Sequence, residues 1–190
     1  MFTHKSIILT LSILIAISIS VKAQEKYGKT LNLGFGIGGY SGYYGYSGQT
    51  MPVIHLDYEF DVVKNFTLAP FLNVYSYAGM YYYNHKNTGY RYYNYRETVI
   101  PIGVKGAYYF DSYLKVKSKW DFYLAGSLGF AIRSTRWDAD YYGDKYAYNK
   151  ATNLFLDFHI GAEYHINSKI GACVDLSNGV STIGVAFHGL

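Results

Sequence analysis

A two-residue alternation of side chains constrains the fold of this chain more than any other feature. Leu31, Leu33 and Phe35 alternate with Asn32 and Gly34, and the same alternation of large apolar with small or polar residues returns in seven later segments. Successive side chains of a β-strand point to opposite faces, and a strand in a membrane wall needs one apolar face toward lipid. The pattern predicts an all-β fold, namely an eight-stranded antiparallel up-and-down transmembrane β-barrel.

The first 23 residues predict an export signal. Lys5 precedes an uncharged run from Ile7 to Ser20, and Val21-Lys22-Ala23 places medium and small residues at a signal-peptidase site. The run has 14 residues, fewer than the ~20 that a spanning helix needs. An uncleaved anchor is the alternative. The expected division is therefore 1–23, a cleaved signal peptide that exports the chain through the inner membrane, and 24–190, one outer-membrane β-barrel domain.

Charge and cysteine content argue against two further classes. The formal net charge of +4 falls to about +2 without Lys5 and Lys22, which is too small to predict nucleic-acid binding. The single cysteine, Cys173, excludes an intramolecular disulfide, a common source of stability in small exported domains. We therefore expect the stability to come from a closed, hydrogen-bonded barrel.

Turn residues divide the rest of the chain into eight predicted strands. The connections after the second, fourth and sixth strands are short or moderate, and those after the first, third and fifth are long. Outer-membrane barrels likewise have short periplasmic turns and long extracellular loops. Asn178-Gly179 predicts a type I′ hairpin turn, and Pro70 predicts a bulge or a locally broken pairing in the third strand. The expected strand bounds are 30–40, 52–62, 66–77, 97–110, 120–133, 153–166, 169–176 and 181–187.

Two segments carry a resemblance to a known group. Ile100-Pro101-Ile102-Gly103-Val104-Lys105 runs into Tyr108-Tyr109-Phe110, and the chain approaches its end with Ile183-Gly184-Val185-Ala186-Phe187. With the signal and the eight alternating strands, they resemble the small Gram-negative outer-membrane barrels of the OmpX, OmpA transmembrane-domain and PorT-like type. The resemblance covers essentially all of the chain after the signal. It implies an outer-membrane location, contact with the barrel-insertion machinery, no shared catalytic chemistry and no cofactor.

The polar residues of the predicted strands point into the barrel. Side chains fill the interior of an eight-stranded barrel, which argues against an open channel. Because shielded charges need partners, we expect Lys105 and Arg133 to bridge the inward carboxylates. The alternative is a proton or metal site formed by His55, Asp57, Asp157, His159 and Glu163. The predicted interior network comprises His55, Asp57, Glu59, Asn73, Lys105, Arg133, Asp157, His159, Glu163, His165 and Asp175.

The sequence carries no signature of catalysis. A hydrolase would need a serine beside a histidine base with an orienting acid. Beyond the predicted signal, no histidine lies within two residues of a serine, and the pattern G-x-S-x-G does not occur. We predict that the protein is not an enzyme and has no catalytic, cofactor-binding or metal-binding residues. A lipid-modifying barrel enzyme and a small gated transporter are the alternatives.

The three predicted long loops are rich in tyrosine. Tyrosine joins an apolar face to a polar tip, which suits both membrane interfaces and contact surfaces. Either these residues form an upper girdle, with the third and fourth strands extended as a hairpin, or the loops bind lipopolysaccharide, a glycan or a partner protein. Both interpretations predict a structural or surface-interaction role in the outer membrane. The predicted contact surface comprises Tyr43, Tyr44, Tyr82, Tyr92, Arg91, Arg136, Trp137 and Tyr142.

Overall fold

Strands make up most of the described chain. The computed structural model describes residues 27–38, 52–85, 89–110, 119–139, 141 and 154–190, with the backbone alone for 82–85 and 89–91. The strands in these ranges are β1 (Thr30–Gly38), β2 (Val53–Val63), β3 (Phe66–His85), β4 (Gly89–Tyr109), β5 (Trp120–Trp137), β6 (Leu154–His165), β7 (Ile170–Ser177) and β8 (Val180–His188). Within the same residues, no helix is long and apolar enough to span a membrane.

The sheet closes on itself. Each strand pairs antiparallel with its sequence neighbours, and β1 pairs with β8 from Thr30 opposite His188 to Gly38 opposite Val180. A closed sheet has no edge, so its backbone groups are hydrogen-bonded without help from water. The predicted eight-stranded antiparallel up-and-down barrel is confirmed.

The two faces of the barrel wall differ as the alternation predicts. Inward side chains such as Asp57, Lys105 and Asp157 are buried, although they are charged. Outward side chains are large, apolar and exposed, which is the reverse of a water-soluble protein and suits a wall in contact with lipid. The outer apolar residues include Leu33, Phe35, Ile54, Leu56, Leu72, Ile102, Leu124, Leu128, Phe130, Leu156, Phe158, Ile160, Val174, Leu176, Ile183 and Val185.

The apolar band has a visible boundary at each end. At one end, the hydroxyls of Ser76 and Thr98 form a 2.9 Å hydrogen bond on the outer wall. Thr98 is the next outward-facing residue of β4 beyond Ile100. At the other end, Trp120 packs on Phe122 and Tyr164 with ring centroids 6.1 and 4.9 Å apart. Aromatic residues at this level are typical of a membrane interface. They coincide with the end that carries the short turns.

The hairpin of β3 and β4 extends further than its predicted strands. Its pairing continues without a break from Tyr75 opposite Val99 to His85 opposite Gly89, where the sequence predicts a long loop from 78 to 96. Tyrosine has a high strand propensity and the residues still alternate, so the two strands continue past the apolar band. The interpretation of an extended hairpin is confirmed for the backbone of these residues.

Both strand prolines lie at interruptions of a ladder. Pairing of β2 with β3 stops after Asp57 opposite Phe71 and resumes at Phe60 opposite Leu68, which leaves out Pro70. Pro101 likewise falls in a gap of the β3–β4 ladder, although it stays in register with β5. Proline has no N–H to donate, so each gap falls where a donor is missing. The prediction of a locally broken pairing at Pro70 is confirmed.

Two tight turns use different devices. Asn65 ends the β2–β3 turn with φ 59°, a left-handed conformation that asparagine tolerates. Neither residue of Asn178-Gly179 has a positive φ, so the predicted type I′ turn is wrong. Instead, the Asp157 carboxylate of β6 accepts hydrogen bonds from the backbone N–H groups of Gly179 at 2.9 Å and Val180 at 3.2 Å. A side chain from the neighbouring strand therefore holds this turn.

Candidate functional site

A buried lysine lies at the centre of the interior polar network. Lys105 Nζ is 2.6 Å from Asp57 Oδ2 and 3.8 Å from Asp175 Oδ2, and all three residues are buried. Asn32 also donates a hydrogen bond to Asp57 at 2.7 Å, and the Tyr123 hydroxyl donates one to Asp175 at 2.8 Å. Each carboxylate is thus neutralised and hydrogen-bonded, as burial requires.

A histidine extends this arrangement on each side. His55 Nε2 lies 2.9 Å from Asp57 Oδ2, and its Nδ1 lies 2.6 Å from Asn73 Oδ1. On the opposite side, His159 Nδ1 lies 2.6 Å from Asp175 Oδ1, and its Nε2 lies 2.8 Å from Ser127 Oγ. We call the continuous series the Lys105 row; its members are Asn73, His55, Asp57, Lys105, Asp175, His159 and Ser127.

Arg133 has a different partner from the one expected. Its guanidinium lies 3.3 Å from Glu97 Oε1, away from the Lys105 row, and Glu97 also accepts a hydrogen bond from the Tyr77 hydroxyl. The expectation that Arg133 bridges the named carboxylates is therefore corrected. Glu97 has the same parity as Lys105 on one strand, so the alternation could have identified it. The predicted interior network does not include Glu97, because this residue is the first of the predicted strand 97–110.

Three other predicted interior carboxylates are held without Lys105. Glu59 accepts hydrogen bonds from the Thr67 and Tyr109 hydroxyls. Asp157 holds the β7–β8 turn and accepts a further bond from Ser177 Oγ at 2.8 Å. Glu163 contacts two histidines at the end of the barrel that carries the short turns. Because hydroxyl and N–H donors satisfy Glu59 and Asp157, these two carboxylates need no cation from the strands.

Glu163, His165 and His188 form a second cluster, at the barrel mouth on the short-turn side. Glu163 Oε1 lies 2.6 Å from His188 Nε2 and 3.7 Å from His165 Nδ1. One ligand atom from each of the three residues lies within 4.8 Å of the other two. Of the three, the sequence assigned Glu163 and His165 to the interior but left out His188, which lies after the expected end of the last strand. We call this set the rim cluster.

Side chains fill the barrel on either side of the Lys105 row. Toward the extended hairpin, Val53, Tyr75, Val99, Ala131 and Val180 form a buried apolar cluster. Toward the short turns, Tyr27 stacks on Tyr109 with ring centroids 4.0 Å apart and packs with Ala107 and Tyr123. A filled interior is the structure expected for a barrel of this strand number.

The spaces beside the Lys105 row are small. A cavity of about 20 Å³ borders Asp57, Lys105 and Asp175, and one of about 10 Å³ borders Ser127 and His159. A cavity needs a volume of about 10–15 Å³ on the same measure to hold a single water molecule. Ser127, His159 and Asp175 have the connectivity of a hydrolase triad, which the sequence could not show because the three residues come from three strands. The adjoining space fits about one water.

The residues of the predicted contact surface are in different environments. Tyr92 is 71% exposed, and Arg136 is exposed on the outer wall. Trp137 is partly buried, stacked on Tyr141 at 4.3 Å and packed against Tyr95 at 5.2 Å. Tyr43, Tyr44 and Tyr142 lie outside the described residues, as do the side chains of Tyr82 and Arg91.

The wall and the interior together define a class of protein. The sheet has eight strands and is closed, its outer band is apolar, and its interior is polar and filled. Aromatic residues lie at the boundary of the band on the short-turn side. These features define a small transmembrane β-barrel of the outer-membrane type. The outer face excludes a soluble barrel, whose exterior would be polar.

Comparisons with known proteins find distant structural similarity. No protein-family model matches the chain, and no curated protein matches it. Among solved structures, the Yersinia pestis outer membrane protein Ail in a phospholipid bilayer nanodisc has 9% identity and a TM-score of 0.38, covering 83% of this chain and 96% of that one. The solution structure of E. coli outer membrane protein W has 11% identity and a TM-score of 0.39, covering 87% and 100%.

Proposed function

We propose that this protein is an integral outer-membrane barrel without catalytic activity, with a structural and surface-interaction role. The end of the barrel that carries the extended β3–β4 hairpin binds phosphate-bearing headgroups of the surrounding outer-leaflet lipid. Lipopolysaccharide is the lipid expected to supply these headgroups. The observation that carries the proposal is a pair of neighbouring arginines, Arg96 and Arg136, on the outer wall just beyond the apolar band.

The position of the two arginines matches the headgroup level. Arg96 and Arg136 are directly opposite each other in the β4–β5 ladder and both are exposed. They occupy the next outward-facing position along the wall beyond Thr98. The hydrogen bond of Thr98 to Ser76 marks the end of the apolar band. A side chain at this level reaches the interface between lipid tails and water.

Charge explains why an anion would bind there. Like charges directly opposite each other on a sheet repel and destabilise the pairing. A phosphate between two guanidinium groups removes that repulsion and accepts several charge-assisted hydrogen bonds. We therefore expect an anionic headgroup to be the natural partner of Arg96 and Arg136.

The aromatic residues of the extended end support a rigid contact surface. Trp137, Tyr141, Tyr81 and Tyr93 pack together, with ring centroids 4.3 to 6.2 Å apart for the closest pairs. Tyr92 projects outward from the same hairpin and is 71% exposed. Because Tyr93 and Tyr141 are buried, this packing stiffens the hairpin that presents Tyr92. A contact surface that is ordered in advance loses little conformational entropy on binding. A glycan or protein partner on this surface is compatible with the same role.

Binding of lipopolysaccharide by Arg96→Gln and Arg136→Gln tests the proposal. Purified protein in detergent is titrated with lipopolysaccharide, and each variant is expected to bind about 10-fold more weakly because charged hydrogen bonds are lost. Lys169→Gln is the matched control, since it removes one positive charge from the opposite end. Equal affinity in all four proteins, or equal weakening in the three variants, would contradict a site at the arginines.

A second candidate function rests on Ser127, His159 and Asp175. Their hydrogen bonds of 2.8 and 2.6 Å have the order of a serine hydrolase triad. A phospholipid substrate would have to open the neighbouring cavity. Labelling by a serine-reactive fluorophosphonate together with phospholipid hydrolysis, both lost in Ser127→Ala but kept in Ser134→Ala, would establish this function and overturn the non-catalytic proposal. The absence of both signals in the unmodified chain would remove it.

A further inference from the structure

We infer that the rim cluster is a binding site for a divalent transition-metal ion of the Zn²⁺ type, held by Glu163, His165 and His188. Two imidazole nitrogens and one carboxylate oxygen are a donor set that suits Zn²⁺ and leaves one position open for water. The three ligand atoms lie within 4.8 Å of one another. Tetrahedral bonds of about 2.0–2.1 Å place ligand atoms about 3.3 Å apart, so small rotations of the side chains suffice.

The outer contacts of His188 leave the correct nitrogen for the metal. Thr30 Oγ1 donates a hydrogen bond to the Tyr27 carbonyl at 2.9 Å, so it accepts the bond from His188 Nδ1, also 2.9 Å long. His188 Nε2 donates a hydrogen bond to Glu163 Oε1 at 2.6 Å. A bound metal ion would replace that proton on Nε2, while Nδ1 keeps its own. Such outer hydrogen bonds orient metal-binding histidines.

His165 is oriented in the complementary way. Its Nε2 donates to Asp121 Oδ2 at 2.6 Å, which leaves Nδ1 toward Glu163 at 3.7 Å. A carboxylate behind a histidine is the usual outer partner in zinc sites, because it fixes the ring and makes the ligating nitrogen more basic. The rings of His165 and His188 are 5.0 Å apart, and each has its far nitrogen engaged.

The position of the cluster allows both charge balance and entry of the ion. No lysine or arginine is found within salt-bridge distance of Glu163 among the described residues, whereas the Lys105 row contains its own cation. The His165 side chain is 31% exposed and that of His188 17%, so the mouth of the barrel gives access from water. Gly171 leaves the space that the Glu163 carboxylate occupies, since a Cβ there would overlap with Oε1.

Titration of the full chain with Zn²⁺ tests the inference directly. The protein is prepared in detergent without a histidine tag and titrated by calorimetry, and Co²⁺ absorption serves as a second readout of nitrogen coordination. We expect one Zn²⁺ per chain and no comparable binding of Mg²⁺ or Ca²⁺, which prefer sites made wholly of oxygen ligands. Absence of a saturable site of this stoichiometry would overturn the inference.

Variants locate the site. Glu163→Gln and His188→Gln are expected to abolish the binding, and Asp121→Asn to weaken it roughly 10- to 100-fold as an outer partner. His85→Gln removes an imidazole from the opposite end of the barrel and should bind like the unmodified chain. The migration of unheated and heated samples on SDS gels checks that each variant is folded. Unchanged affinity in folded Asp121→Asn and Glu163→Gln would contradict the assignment, and would leave the cluster as an ion-pair network only.

Discussion

The Lys105 row and the rim cluster are built from similar groups but balance charge differently. The row combines two histidines with two carboxylates, and the rim cluster combines two histidines with one. In the row, Lys105 lies between Asp57 and Asp175 and supplies the positive charge. In the rim cluster, Glu163 faces two imidazoles and has no such cation among the described residues. The difference teaches that Lys105 makes the row a structural cluster, whereas the two imidazoles and the carboxylate of the rim cluster, with no lysine beside them, form a donor set for a metal ion.

Replacing Lys105 should produce the largest effect of the substitutions considered. Lys105→Met leaves Asp57 and Asp175 buried without their cation, which costs about 3–5 kcal/mol of unfolding free energy for a broken buried pair. Urea unfolding of the barrel in lipid vesicles, followed by gel migration, measures the loss. Adding Asp57→Asn should recover part of it, because one of the uncompensated charges is then removed.

Lys169→Gln serves as the control for this prediction, since Lys169 is exposed at a turn, and its stability should equal that of the unmodified chain. If Lys105→Met unfolded at the same urea concentration as the control, the row would not depend on its lysine. The contrast with the rim cluster would then lose its basis.

Overpacking beside the row should have an intermediate effect. The Cβ of Gly161→Ala would overlap with the ring of Tyr123, which is buried and fixed by its hydrogen bond to Asp175. A rigid neighbour cannot move aside, so we expect a loss of about 1–3 kcal/mol in the same urea experiment. If the ring is the obstacle, Gly161→Ala should cost little further stability when it is added to Tyr123→Leu, which removes the ring and carries the cost of the lost bond to Asp175. An unchanged cost of Gly161→Ala in the Tyr123→Leu background would point to a backbone effect instead.

The matched change beside the rim cluster should have the smallest effect on stability. In Gly171→Ala the new Cβ meets the Glu163 carboxylate, the mobile end of a flexible side chain that can turn away. We expect a smaller loss of stability than in Gly161→Ala, together with weaker Zn²⁺ binding because the ligand is displaced. Calorimetry and urea unfolding of the two alanine variants, measured side by side, compare the regions. Equal losses of stability would show that both clusters are equally rigid.

The alternation was sufficient to predict the wall and much of the interior. A period of two assigns every residue of a strand to one face, so His55, Asp57, Lys105, His159 and Asp175 could be placed inside without knowledge of the pairing. The same rule explains why the exposed residues on the outer wall are apolar. The strand propensity of tyrosine also favours the longer β3–β4 hairpin, which is one of the two interpretations of the tyrosine-rich segments.

Partners within the interior could not be predicted in the same way. Which inward residues meet depends on the stagger of the strands around the barrel, and the alternation does not contain that quantity. Ser127 and His159 therefore came together unforeseen, as did Arg133 and Glu97. The rim cluster also depends on a glycine whose role the sequence does not show. Glu163 reaches His188 across β7 because Gly171 has no side chain in the way.

The bond between Thr30 and His188 has a consequence for the speed of opening. It joins the first and last strands, which are 158 residues apart in sequence at this point. Closing so long a segment costs more chain entropy than any hairpin, and contacts of this kind form late and slowly. We therefore expect the β1–β8 seam to close last during folding and to open first during unfolding. A metal ion bound by Glu163, His165 and His188 would link β6 to β8 and fix the His188 ring in the orientation of its bond to Thr30. It would thereby lengthen the lifetime of the closed barrel.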